Sequence, residues 1–193
     1  AAALMSAVAL GLVTLDTRVP ALAWRAHAIG ALTLACFAAW SSAILFADAT
    51  PVWPHWALIA TGFAAPAALA TAAAFVARRK TGRGTGEAME AGAVVLALCG
   101  ASLGLHLGFS AGRVSANPVG FVEAGAQVGL WLGAGLLLAK RQRAMALVAL
   151  PALIAGPILG LLWLTPYWLE RPISGVPGAI FQHAPLGFLL MAI

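Results

Sequence analysis

A chain of 193 residues that is 62% hydrophobic and only 9% charged is far from the roughly half apolar, one-quarter charged composition of a soluble globular domain, which it excludes. Hydrophobic runs of about 20 residues point to one transmembrane region over residues 1–193: an all-α, polytopic helix bundle with about six full spans and the start of a seventh. A net charge of +5 and a pI of 10.3 would suggest nucleic acid for a soluble protein. Here the basic residues sit in short connections between spans, so the expected partner is bilayer lipid and not nucleic acid.

The opening AAALMSAVALGLVTL has no basic flank and no initiator Met, and is read as a clipped span in an excerpt of a longer membrane protein. This first helix is expected to end near Leu15, before the polar step Asp16, Thr17, Arg18 and Pro20. A second helix is expected over about 21–47, with Arg25 and His27 in its first turns as snorkelling anchors. Pro51, Trp53, Pro54 and Trp56 form an interfacial aromatic pattern, and a third helix follows to about Ala77. Arg78, Arg79, Lys80 and Arg83 then mark a connection outside the membrane.

The fourth helix is expected over about 87–112 and the fifth over about 120–139, joined near Arg113, Asn117 and Pro118. Glu87 and Glu90 fall where a helix dipole favours acids, or serve as neighbours of the preceding basic cluster. Lys140, Arg141 and Arg143 close the fifth helix. A sixth, over about 144–164, carries Pro151 and the pair Gly156, Pro157, which predict a kink. The Pro-rich segment 165–182 is expected at the interface, with a seventh helix starting near His183.

The fourth and fifth helices each carry a stripe of glycines at four-residue spacing: Gly100, Gly104 and Gly108 on one, Gly125, Gly129 and Gly133 on the other. Such stripes let backbones approach closely and are read as packing faces, with Gly92 off the stripe. On the opposite faces lie Cys99, Ser102 and His106, and then Glu123 and Gln127, so each helix is expected to separate a packing side from a chemical side. Cys36 and Cys99 lack CxxC spacing and read as small apolar core residues.

Orientation follows from the basic residues. Nine of the eleven Lys and Arg fall after helices one, three and five, and only Arg113 and Arg171 after the others. The positive-inside rule therefore puts the loops near Arg78 and Arg83 and near Lys140 and Arg143 in the cytoplasm, in an inner-membrane protein. AVALGLVTLDTR and WLGAGLLLAKRQR, with HWALIATGF and HAPLGFLLM, are compatible with a four-helix internal repeat, the alternative being coincidence in Ala-, Leu- and Gly-rich sequence.

The runs EAMEAGAVVLALCGASLGLHLGFSAGRV, GFVEAGAQVGLWLGAGLLLAKRQR and ERPISGVPGAIFQHAPLGF resemble a family of large, uncharacterised bacterial multi-pass inner-membrane proteins, a domain of unknown function. The resemblance covers about residues 50–193 and rests on Glu90, His106, Glu123 and Trp131. It implies many repeated helices, often behind a coiled coil, and no established activity. The chain departs from that pattern in having Gly104 and Leu105 where an acid and an Arg would precede the His, and Gln182 where an Asn would stand.

His106, Glu123 and Gln127 fall at similar depth, within about 10 Å of the outer interface. A His and a Glu there can form one hydrogen-bonded pair that relays a proton or binds a polar head group, the plainer alternative being a structural interhelical bond worth roughly 1 kcal/mol. Arg113, Glu170, Arg171 and His183 are candidates to complete that outer mouth. No HExxH, GxSxG, P-loop, CxxC or EF-hand spacing occurs, so no metal, cofactor or catalytic class is assigned. Three functions remain open: a transport or permeation module, a cell-envelope enzyme acting on a lipid-linked substrate, and a scaffold.

Overall fold

A computed structural model describes residues 1–45, 55–80, 83–109, 121–141, 149–155 and 158. Among the described residues the ordered elements are helical: α1 (Ala2–Asp16), α2 (Leu22–Leu45), α3 (His55–Ile59), α4 (Ala65–Lys80), α5 (Arg83–Phe109) and α6 (Phe121–Arg141), with a π-helical turn at Ala60–Ala64 joining α3 to α4. Four stretches are long and apolar enough to cross a membrane, namely Leu22–Ala39, Trp56–Lys80, Gly84–Phe109 and Val122–Ala139, whereas α1 is shorter. Residues 149–155 are helical too, so Pro151 sits within a helix. The expected kink at Gly156 and Pro157, the Pro-rich segment and the seventh helix lie outside the described residues, as does HAPLGFLLM, the later segment of the repeat's second copy.

The chain divides into two compact units, Ala1–Gly104 and Leu105–Ile193. In the first, α1 packs along α2 and α4. The core is largely alanine: Ala9, Ala28, Ala39, Ala70, Ala73 and Ala77 are buried, with Val13, Leu32, Phe63, Met89 and Leu96 filling the space between them. Small side chains bring helix backbones close, and contact is what drives association where the surroundings are as apolar as the interior. Leu22, Leu34, Phe37 and Phe75 point outwards and exposed, as a lipid-facing surface requires.

The π-helical turn has a local cause that the hydropathy pattern did not reveal. Pro66 has no N–H to give the Gly62 carbonyl, and its ring crowds that position. The ladder slips by one residue, and the Ala65 N–H donates to the Ala60 carbonyl five residues back. The helix thus continues through a proline without breaking, and Phe63 is turned into the core at 2% exposure.

The glycine pattern is corrected by the packing. A Cβ at Gly100 would stand 2.7 Å from the Phe63 Cβ, and Gly104 has ordinary contact with Ile59 at 3.6 Å, but Gly108 and Gly133 have nothing within 4 Å among the described residues. A Cβ at Gly92, expected off the packing face, would strike the Leu32 side chain, and one at Gly135 would strike Leu153. The reason is rotation: four residues turn a helix about 40° past a full circle, so a four-residue stripe drifts off any one neighbour. On α5 the buried direction is that of Met89, Ala93, Leu96 and Gly100.

Two charge arrangements become specific in the structure. α5 starts at Arg83, so Glu87 and Glu90 lie beyond its first turn and are not terminal dipole partners. Glu90 pairs with Arg78, the expected alternative of a neighbour in the basic cluster, and Gly86 sits against the Arg78 side chain. Arg25 is not a simple snorkelling anchor: its Nε donates to Asp16 at 2.9 Å, while His27 is exposed and its Nδ1–H donates to the Ala23 carbonyl at 2.6 Å.

Asp16 is 1% exposed and also accepts the Ala21 N–H at 3.0 Å, closing the turn between α1 and α2. Burial pushes its carboxyl up, but the Ala21 N–H and the Arg25 guanidinium outweigh that and hold it below the ordinary 3.8. A depressed folded-state value contributes stability that is fully present above pH 3.8 and is lost as pH falls through the lower folded value. Unfolding in detergent should therefore show this loss only below pH 3.8. In Asp16→Asn that acid-dependent component should vanish, with stability lower by roughly 1–2 kcal/mol at neutral pH, since charge-assisted bonds to a half-exposed Arg are replaced by neutral ones. An unchanged acid profile in the variant would assign the effect to other carboxyls.

Candidate functional site

The second unit contains the pair foreseen from depth alone. His106 lies in the last turn of α5 and Glu123 in the first turn of α6. The carbonyl end of one helix complements a cationic ring, and the amide end of the next complements a carboxylate, each by about 0.3–1 kcal/mol. His106 Nδ1 and Glu123 Oε1 are 2.7 Å apart, with the side chains 18% and 5% exposed. That distance is short for a nitrogen donor and fits a charge-assisted bond in which Nδ1–H donates to the carboxylate. With Nδ1–H so engaged, Nε2 is the ring's other hydrogen-bonding nitrogen.

Gln127 follows one turn after Glu123 and is 2% exposed. Its amide is both donor and acceptor, the property that lets a hydrogen-bonded path continue past a carboxylate. One further turn along, at the same spacing, the Trp131 Nε1 is buried and has no hydrogen-bond partner among the described residues. Trp131 was noted in the sequence only as part of a resemblance. The signal that identifies it as a site residue is the series 123, 127, 131, which keeps three polar side chains within about 80° of helix surface.

The expected division into packing and chemical sides does not hold on α6. Glu123 and Gln127 are as buried as their neighbours Ala124 and Val128, so the polar groups belong to the packed interior of that unit. On α5, Cys99 packs against the hydrophobic core of the first unit together with Cys36, and both are free thiols. Ser102, one turn before His106, is half-buried.

Of the remaining candidates, Arg113, Glu170, Arg171 and His183 lie outside the described residues. Among the described residues no three His, Cys, Asp or Glu side chains gather as a metal-ligating group. The chemistry on view is that of a part-buried imidazole hydrogen-bonded to a buried carboxylate. No protein-family model, curated protein or solved structure matches the chain.

Proposed function

We propose that this chain is a membrane-embedded permeation or transport module in which His106 and Glu123 take up and release a proton. The observation that carries the reading is the 2.7 Å contact between Nδ1 and Oε1, on side chains withdrawn from solvent at the ends of two helices apolar enough to span a bilayer. An ionisable pair within spans is costly unless paired, and such pairs commonly mark proton or substrate paths. Two groups that exchange one proton over a single hydrogen bond can do so without a separated charge facing hydrocarbon. Gln127 and the indole N–H of Trp131 extend the polar series along α6 and could hold a substrate oxygen or water there.

The test is proton movement across proteoliposomes containing the chain, read with an entrapped pH dye under an imposed potential. Flux above protein-free vesicles is expected, and its loss in variants of the pair would tie it to this site. Stable protein without flux in any condition would leave the scaffold reading ahead.

The orientation proposed with it places the turn between α4 and α5 and the connection after α6 in the cytoplasm. Cysteines introduced at Gly82 and Gln142 should then be protected from an impermeant thiol reagent added outside, with cysteines at Ser115 and Ser174 labelled. The reverse pattern would invert the orientation and put the His106–Glu123 pair at the inner face.

A further inference from the structure

The surface of α4 that faces away from the core carries Ala68, Ala72, Phe75 and Arg79, all exposed, while Ala70, Ala73, Ala74 and Ala77 on the other side are buried. On this outward stripe the Arg79 guanidinium lies over the Phe75 ring, 3.9 Å from its centroid, and the ring is 56% exposed. The neighbouring cation, Arg78, is neutralised by Glu90. Among the described residues Arg79 has the Phe75 ring as its only partner, and Lys80 beside it is exposed.

The direction of Arg79 is the informative feature. An Arg at the end of a span ordinarily reaches away from the hydrocarbon to water. Arg79 instead folds back over the preceding turn, which draws its charge about 5 Å into the span Trp56–Lys80. The ring face steadies the guanidinium from one side, and its N–H edge remains for an anion. At that level of a bilayer the available anion is a lipid phosphate, and a guanidinium matches its oxygens two at a time. A free phosphate would bind equally well at a site in water, but here an exposed aromatic side chain and an apolar helix face flank the charge. Lys80 adds a second positive charge that favours lipids of net negative charge over zwitterionic ones.

We infer that Phe75 and Arg79 form a headgroup site for an anionic glycerophospholipid, with the phosphodiester on the guanidinium and the acyl chains along the outward face of α4. The test is native mass spectrometry of the 193-residue chain released from nanodiscs of equal phosphatidylglycerol and phosphatidylcholine content. Retained lipid should be enriched in phosphatidylglycerol. Arg79→Gln should lower that enrichment about fivefold, the effect of one basic residue at a membrane surface. Phe75→Leu, which keeps the apolar contact and removes the ring, should lower it by about half or more, and Lys80→Gln should act less than Arg79→Gln. Both principal side chains are exposed, so thermal unfolding should be unaltered. A wild-type chain with no lipid preference overturns the inference without recourse to any variant. Full enrichment in Arg79→Gln overturns it as well, and a silent Phe75→Leu beside an active Arg79→Gln removes the ring-held geometry. Displacement of the lipid by millimolar inorganic phosphate would assign the site to a soluble anion instead.

Discussion

Glu123→Gln should abolish proton movement while leaving the helices folded. The amide oxygen of Gln can still accept the His106 Nδ1–H, so the contact seen at 2.7 Å is retained as a neutral bond, and the loss of charge assistance costs about 1 kcal/mol. What the amide cannot do is gain and release a proton. Removal of a group that carries one ordinarily lowers a rate by about a hundredfold, and flux in proteoliposomes should fall towards the protein-free level. His106→Asn makes the complementary change, because the Asn amide can donate to Glu123 but offers no second basic nitrogen. The two variants together should be no worse than either alone in flux, since one broken step already stops transfer. In unfolding measurements their coupling should be of the order of 1 kcal/mol. If Glu123→Gln conducts as well as wild type and the coupling in stability persists, the pair is a structural clasp.

Gly100→Ala should destabilise the first unit by about 1–3 kcal/mol, the range for forcing extra atoms into a packed interior. The added methyl would lie 2.7 Å from the Phe63 Cβ. A Cβ so near the backbone cannot swing aside by rotating its side chain, so a helix must move. Phe63 is in the π-helical turn and is itself buried, which leaves little room for that movement. Gly92→Ala should also lose stability, though less, because the atoms that would be struck are the ends of the Leu32 side chain. Gly108→Ala provides the contrast. No described residue lies within 4 Å of its Cβ position, and the higher helix propensity of Ala should leave stability unchanged or raised by up to about 1 kcal/mol. Thermal unfolding of the three variants in one detergent measures the order directly. Equal losses at positions 100 and 108 would mean that propensity, and not packing against Phe63, governs these glycines.

Composition alone settled that the chain is helical and membrane-like, because backbone polar groups in hydrocarbon must be satisfied within each segment and the hydrophobic runs are long enough to cross. The pairing of His106 with Glu123 was legible too, since distance from the helix ends sets depth and two ionisable groups at one depth in apolar surroundings gain by meeting. Asp16 and Arg25 were harder to join from sequence, as one looked like the end of a helix and the other like an interfacial anchor. Only the turn through Pro20 brings them to 2.9 Å. The π-helical turn at Ala60–Ala64 was readable in principle from Pro66, but a proline can break, kink or slip a helix, and the packing of Phe63 selects among these. Periodicity placed Gly104 on a packing stripe and Gly92 off it, whereas a Cβ at Gly92 would strike Leu32 and one at Gly104 would make only ordinary contact with Ile59. A spacing of four residues tells how glycines lie on their own helix, whereas the neighbour that meets them is decided by the crossing of helices, which no single helix encodes.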